Sequence, residues 1–204
     1  MAIKVEKGGK NDPGTLENQA LRLVYLHDWG IKIVYCYGNN LVQNLFIEEL
    51  SGKSWEDIFN LFGKLFSLKT VYFLGIEIIK RIQYIHFKHY IHSDIKPDNS
   101  MIGRGANKIK YNYIIDFCLS KKYYSISKEQ HIEFCSGKYL IGTARYCEEM
   151  LIGDRNKGVE MILKIENIGY ALMHFLLGAL IWQRLKVEKN EDPLLMVKWK
   201  TLHN

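Results

Sequence analysis

The residues best suited to chemistry lie in the segment 90–99 and just after it. This segment reads Tyr-Ile-His-Ser-Asp-Ile-Lys-Pro-Asp-Asn, and a short apolar run downstream of it ends at Asp116. Asp94 supplies a carboxylate that can accept a hydroxyl proton, and Lys96 supplies a cation that can neutralise a phosphate. Asn99 and Asp116 supply oxygen atoms of the kind that Mg²⁺ prefers. The pattern predicts magnesium-assisted transfer of a phosphoryl group to a hydroxyl.

These side chains need elements that carry them into one site. We predict strands at 2–6, 31–37 and 41–50, and helices at 16–26, from Ser54, at 68–86 and from 168 to 178. Ser54 is the expected N-cap of its helix. In the helix 68–86 the apolar residues recur at steps of three and four, which predicts one buried stripe formed by Val71, Leu74, Ile78, Ile82 and Ile85.

Short motifs along the chain narrow the interpretation to one family. They are Ile-Lys-Pro-Asp-Asn at 95–99, Ile-Ile-Asp-Phe at 114–117, Lys-Lys-Tyr at 121–123, His-Ile at 131–132, Gly-Thr-Ala-Arg-Tyr at 142–146 and Gly-Tyr-Ala-Leu-Met at 169–173. In this order they resemble the casein kinase 1 family of serine/threonine protein kinases. The resemblance extends from about residue 2 to about residue 186 and is clearest from 54 to 146.

The resemblance implies an α+β fold of the two-lobe protein-kinase type. Residues 1–50 would form a remnant of the N-lobe, 51–186 part of the mainly helical C-lobe, and 187–204 a divergent tail. No Gly-rich strand pair precedes the first strand, and Gly8-Gly9 follows it, so we expect a truncated sheet. We also expect an incomplete C-lobe, whose exposed helix face a partner would cover.

The resemblance also implies ATP and Mg²⁺ as cofactors. Lys4 would bind the α- and β-phosphates, and Glu17 would hold that lysine by an ion pair. Glu49 and Ser51 would offer hinge backbone to the adenine, and Met101 would form its floor. The residues alone leave simpler interpretations open, namely a solvated lysine near a frayed terminus and a solvated glutamate in the first turn of a helix.

Glu48 departs from the family pattern. It falls at the back of the adenine pocket, where the family carries an apolar residue. A buried carboxylate without a partner is costly, so either the register is shifted by one residue or the pocket is altered. The magnesium ligands implied by the resemblance are Asn99 and Asp116.

On the substrate side, the resemblance assigns catalysis to Asp94, Lys96 and Thr143, with the threonine hydrogen-bonded to the other two. Arg145 would bind an acidic or phosphorylated substrate residue, because a guanidinium group suits phosphate. An ordinary surface arginine is the alternative interpretation.

Three departures from the family's sequence pattern favour a second hypothesis. Ser93 replaces the usual Arg, Cys118 replaces a Gly whose position a Cβ would restrict, and Lys164 replaces an Asp that anchors the catalytic loop. With the missing Gly-rich loop, they favour a pseudokinase that serves as an interaction scaffold over the leading hypothesis, a serine/threonine kinase with full or impaired activity. A third hypothesis is a non-functional kinase fragment, which the abrupt start and the unrelated tail favour.

Composition limits the classes of partner. The net charge of +6 and pI of about 9.0 favour acidic or phosphorylated proteins, while scattered basic residues make nucleic acid an unfavoured partner. The apolar run 168–182 is short for a membrane span and contains His174, so a buried helix is predicted. Four cysteines without a C-x-x-C pair, and no signal sequence, favour the cytoplasm or nucleus.

Overall fold

The computed structural model describes residues 1–7, 19, 22–23, 26, 30–39, 43–109, 111–131 and 166–180. The candidate residues Glu17, Thr143, Arg145 and Lys164 lie outside these ranges. Their roles stay predictions.

Three antiparallel strands form the sheet of the N-terminal part. They are β1 (Ala2–Lys7), β2 (Val34–Asn39) and β3 (Gln43–Glu48), and β3 lies in the centre of the order β1-β3-β2. Every second residue of β3 is buried, as expected for a strand with one face on the core. Phe46 is fully buried on that face, and Glu48 lies on the same face at the end of the strand. The sheet therefore directs a carboxylate inward.

Two helices connect the sheet to the site. The helix α1 (Trp55–Leu61) begins at the predicted N-cap Ser54, whose hydroxyl accepts a hydrogen bond from the backbone N–H of Asp57 while the Asp57 carboxylate bonds the Ser54 N–H in return. The helix α2 (Leu68–Phe87) is one residue longer than predicted. All five residues of its predicted apolar stripe are buried.

The helix α3 (Glu166–Leu177) packs against α2. Its buried side chains include Ile168, Ala171 and Phe175, whereas the large apolar side chains Met173 and Leu177 are exposed. The predicted exposure of one apolar helix face is therefore seen in the described part of the chain. A partner that covers it stays a prediction. No helix among the described residues is both long and apolar enough to span a bilayer.

One hydrophobic core extends from the sheet into the helical part. Phe46 of β3 belongs to the same buried cluster as Ile78 and Ile82 of α2 and Phe117 downstream. A second cluster joins the helices through Phe59, Phe66, Val71, Leu74 and Phe175. This arrangement of a small sheet against a mainly helical part confirms the predicted α+β class.

Short strand pairs complete the fold and position the site. They are β4 (Tyr90–Ile91) with β7 (Lys121–Lys122), β5 (Ser100–Ile102) with β6 (Asn112–Ile114), and β8 (Tyr124–Ser125) with β9 (Gln130–His131). The β4–β7 and β5–β6 pairs bring the segment 92–99 beside the segment 115–120, although the two lie far apart in sequence.

Candidate active site

The loop after β4 brings Asp94, Lys96 and Asn99 together, as predicted. Lys96 Nζ lies 2.8 Å from Asp94 Oδ2. Asn99 Nδ2 donates to the same Oδ2 at 3.0 Å and to the Asp94 carbonyl at 2.9 Å. Pro97, whose ring fixes φ, begins a single 3₁₀ turn that ends at Asn99 and turns its amide back onto Asp94. The three side chains therefore form one hydrogen-bonded unit.

The pairing of β5 with β6 places Asp116 beside that unit. Ser100 pairs with Ile114, and one step further the Ile115 N–H donates to the Asn99 carbonyl at 2.9 Å. Because Asn99 uses its Nδ2 on Asp94, its Oδ1 is the atom left to meet a cation. Asp116 follows Ile115 directly, so this backbone hydrogen bond brings a second residue with an oxygen ligand close to Asn99.

This donor pair fits magnesium. Mg²⁺ requires octahedral oxygen coordination and usually combines one or two protein oxygens with phosphate and water. Among the described residues no group of three or more His, Cys, Asp or Glu side chains could hold a metal ion by itself. An Asn–Asp pair that also needs phosphate and water oxygens suits a metal that arrives with a nucleotide.

Asp116 itself adopts the left-handed conformation, with φ of 64°. Aspartate tolerates this region better than most residues, because its short polar side chain can bond locally. Phe117 follows it and is fully buried, with its ring edge-on to His92 at 4.8 Å. The buried phenylalanine anchors the chain directly after the carboxylate.

Cys118 does not strain this turn. It lies within the 3₁₀ turn Phe117–Leu119 and is absent from the described residues with positive φ, so its Cβ carries no penalty in this conformation. Its Sγ donates to Gln19 Oε1 at 3.0 Å. Burial, and then a hydrogen bond with Asp116, raise the pKa of the Cys118 thiol to about 12. The thiol is therefore protonated and packed at neutral pH.

Arg22 was not identified from the sequence. Its Nη1 donates to the carbonyls of Phe117 and Cys118, both at 2.8 Å. The predicted helix 16–26 contains Arg22, but the sequence gives no sign that its guanidinium reaches a loop so far along the chain. It holds the turn after Asp116 through two backbone carbonyls.

The predicted phosphate-binding lysine contacts Glu48. Lys4 Nζ lies 3.5 Å from Glu48 Oε1, and a second cation, Lys32 Nζ, lies 3.2 Å from the same oxygen. The strand ends at Glu48, two residues before the predicted end at 50, and the Glu48 side chain is buried with two cationic partners. Of the two alternatives, a paired carboxylate favours an altered pocket over a shifted register. Sequence reasoning missed Lys32, although a lysine between two isoleucines in a predicted strand is a usable signal.

The segment after β3 lies against β5. The Glu49 N–H donates to the Ile33 carbonyl at 2.8 Å, so Glu49 can offer an adenine only its own carbonyl. Its side chain pairs with Lys108. Ser51 follows at intermediate exposure, and Met101 lies beside this segment through a bridge to Ser54. The structure thus brings the predicted adenine residues to one place.

His92 is buried under the loop and hydrogen-bonded at both ring nitrogens. Its Nε2 lies 2.8 Å from the Ile115 carbonyl, and the Asp94 N–H donates to its Nδ1 at 3.3 Å. These partners require a neutral ring with its proton on Nε2. Burial lowers the pKa of His92 below 6.5, although the Ile115 hydrogen bond and the Asp94 and Asp116 carboxylates oppose this.

We expect this histidine to make the fold sensitive to acid. A group whose folded pKa is depressed stabilises the protein above its unfolded pKa, here 6.5, and this stabilisation is lost as the pH falls towards the folded value. The free energy of unfolding should therefore decline from pH 7.5 to pH 5, and decline less in His92→Gln, which keeps a donor and an acceptor but does not titrate. Urea unfolding at several pH values measures both slopes. Equal slopes would contradict the assignment, since His86, whose pKa burial also lowers, is present in both proteins.

Taken together, the cluster Asp94–Lys96–Asn99, the adjacent Asp116 and a lysine on the sheet can position a nucleotide, its metal and a hydroxyl. The family model for the protein kinase domain matches residues 1–201. The chain therefore belongs to the protein kinase domain family.

Proposed function

We propose that this chain is a casein kinase 1-like serine/threonine kinase that transfers the γ-phosphoryl group of ATP to acidic or phosphorylated proteins in the cytoplasm or nucleus. The observation that carries the proposal is the hydrogen-bonded unit of Asp94, Lys96 and Asn99, joined by the pairing of β5 with β6 to the segment that carries Asp116, two residues after β6 ends. Family membership supports the reaction class.

Each described residue has a distinct task in this proposal. Asp94 orients the substrate hydroxyl and accepts its proton, and Lys96 neutralises charge on the transferring group. Asn99 and Asp116 would hold Mg²⁺, which would neutralise negative charge on the phosphates. Catalysis of this reaction depends mainly on positioning and electrostatics, so the preformed unit favours activity.

The substrate class is supported by charge. The chain carries a net charge of +6, and Lys121 and Lys122 of β7 are exposed at the start of the segment that follows the site. The net positive charge and these two lysines would attract acidic residues that neighbour the accepting hydroxyl of a substrate. Arg145 and Thr143 remain part of this proposal.

The second candidate is a pseudokinase that acts as an interaction scaffold. The ion pair between Lys4 and Glu48 favours it, because an ammonium held by a buried carboxylate is partly withdrawn from phosphate. Ser93 and Lys164 are further departures in the same direction, whereas Cys118 carries no backbone penalty in its turn.

Transfer of labelled phosphate from ATP separates the two candidates. The folded protein is incubated with Mg²⁺ and three serine peptides: acidic with a phosphoserine upstream, the same peptide without the phosphate, and a basic one. We expect transfer to the acidic peptides, fastest to the phosphorylated one. Asp116→Asn should reduce transfer by about 10²-fold or more, since it removes half of the metal pair. Folded protein that binds ATP without transferring phosphate would favour the pseudokinase.

A further inference from the structure

Glu48 forms a cluster with two lysines, Lys4 and Lys32, that differ in burial. Glu48 is buried, with 2% of its side chain exposed, and its Oε1 contacts both ammonium groups. Lys32 is similarly buried, with 6% exposed, whereas Lys4 is 36% exposed. One lysine is therefore enclosed with the carboxylate, and the other lies at the edge of the cluster.

The two lysines also differ in what else they can reach. Lys4 lies over the Phe46 ring at 5.8 Å, and its charge is near enough to lower the pKa of the Cys118 thiol, against the larger effect of burial. The charge of Lys4 thus acts at the turn that follows Asp116. Lys32 donates to Glu48 Oε1, and burial lowers the pKa of Lys32 while the Glu48 carboxylate opposes this effect.

Charge balance determines the cost of moving Lys4 away from Glu48. If Lys4 were the only partner of Glu48, its transfer to a phosphate would leave a buried carboxylate unpaired, which is strongly unfavourable. With Lys32 in place, the carboxylate keeps a partner at 3.2 Å when Lys4 leaves. Glu48 and its two lysines together carry one surplus positive charge, and the departure of Lys4 leaves a neutral pair. Lys4 can then leave Glu48 at little cost.

We propose that Lys32 is a positioning residue for the nucleotide, a permanent counter-ion of Glu48 that frees Lys4 to bind the phosphates. The inference rests on the proposed nucleotide-binding function and deepens it, since it assigns a role to a residue that does not touch the ligand. It also explains how a carboxylate at the back of the pocket is compatible with a phosphate-binding lysine.

The test compares ligands with and without phosphates. The dissociation constants of Mg-ATP and of adenosine are measured by calorimetry on the wild type, Lys32→Met, Lys32→Arg and the double variant Lys32→Met/Glu48→Met. Lys32→Met should weaken Mg-ATP binding about tenfold, within the usual range of coupling between sites, and leave adenosine binding unchanged. Lys32→Arg keeps the charge and should bind Mg-ATP as the wild type does.

The double variant replaces the ion pair by apolar side chains, a change that buried pairs often tolerate without loss of stability. It should bind Mg-ATP at least as tightly as the wild type, because Lys4 no longer has a competing carboxylate. This outcome is decisive even if the single variant Lys32→Met fails to fold. A double variant that binds Mg-ATP about fivefold more weakly than the wild type would overturn the inference, since coupling between sites is usually at least that large.

Two further results would overturn it. One is unchanged Mg-ATP affinity in Lys32→Met, and the other is an equal loss for Mg-ATP and adenosine, which would show a general disturbance of the pocket. A wild type that binds adenosine and Mg-ATP equally poorly would instead remove the proposed nucleotide function itself. The failure of the function and the failure of the inference are thus distinguishable.

Discussion

Asp94→Asn is expected to lower the rate of phosphoryl transfer by about 10²- to 10⁴-fold, the usual contribution of a general base. Asparagine at this position still offers an oxygen to Asn99 Nδ2, which now lies 3.0 Å from the carboxylate. It cannot accept a proton, and it loses the charge that holds Lys96 Nζ at 2.8 Å. The loss should appear in kcat, because Asp94 acts on the hydroxyl and the nucleotide contacts remain.

Asp98→Asn is the matched control for this prediction. Asp98 lies in the same loop and loses the same charge in this variant, but its side chain is exposed. Steady-state kinetics with a peptide substrate should show the control within about threefold of the wild type, since surface substitutions away from such features have small effects. An Asp94→Asn enzyme with an unchanged kcat would exclude Asp94 as the catalytic carboxylate.

Gly30→Ala is expected to reduce the free energy of unfolding by about 3 kcal/mol, the sum of a left-handed backbone penalty and overpacking. Gly30 has a φ of +84°, and an added Cβ would lie 1.9 Å from Arg81 Nε. Arg81 is buried and cannot simply move away, because Nε donates to the Asn112 carbonyl at 3.0 Å and Nη2 pairs with Glu77 at 3.1 Å. The substitution therefore disturbs the anchor of β6, the strand that leads to Asp116.

Gly63→Ala separates the two contributions to this loss. Gly63 has a similar φ of +71°, but nothing lies within 4 Å of the added Cβ. Gly63→Ala should therefore reduce the free energy of unfolding only by the left-handed backbone penalty, about 1 kcal/mol. Urea or thermal unfolding measures the free energy of unfolding of both variants. If Gly30→Ala loses no more of it than Gly63→Ala does, the Arg81 side chain moves aside without destabilising the fold.

The helices near the site and the loop 94–99 could be predicted because their interactions are local. Ser54 caps α1 through a residue three positions on, and the apolar stripe of α2 repeats with the helical period. The contacts among Asp94, Lys96 and Asn99 likewise connect residues that are close in sequence. Spacing and residue type are sufficient for such features.

The partners of Glu48, in contrast, could not be predicted from local sequence patterns. The sequence alone placed a carboxylate at the back of the pocket and left open whether the register or the pocket differed. Which cations neutralise it depends on the pairing of β3 with β1 and on the approach of Lys32. That approach is a property of the packed sheet, since no local pattern specifies how far a lysine side chain extends within a core.

The sequence by itself thus determined α1, α2 and α3, the capping at Ser54 and the contacts among Asp94, Lys96 and Asn99, because each depends on residues within a few positions of one another. Only the tertiary structure decided that Asp116 lies beside Asn99, that Arg22 holds the turn after Asp116, and that Lys32 shares Glu48 with Lys4. These contacts join residues distant along the chain. They form because burying charged and polar groups requires each of them to find a partner, and packing selects which partner is within reach.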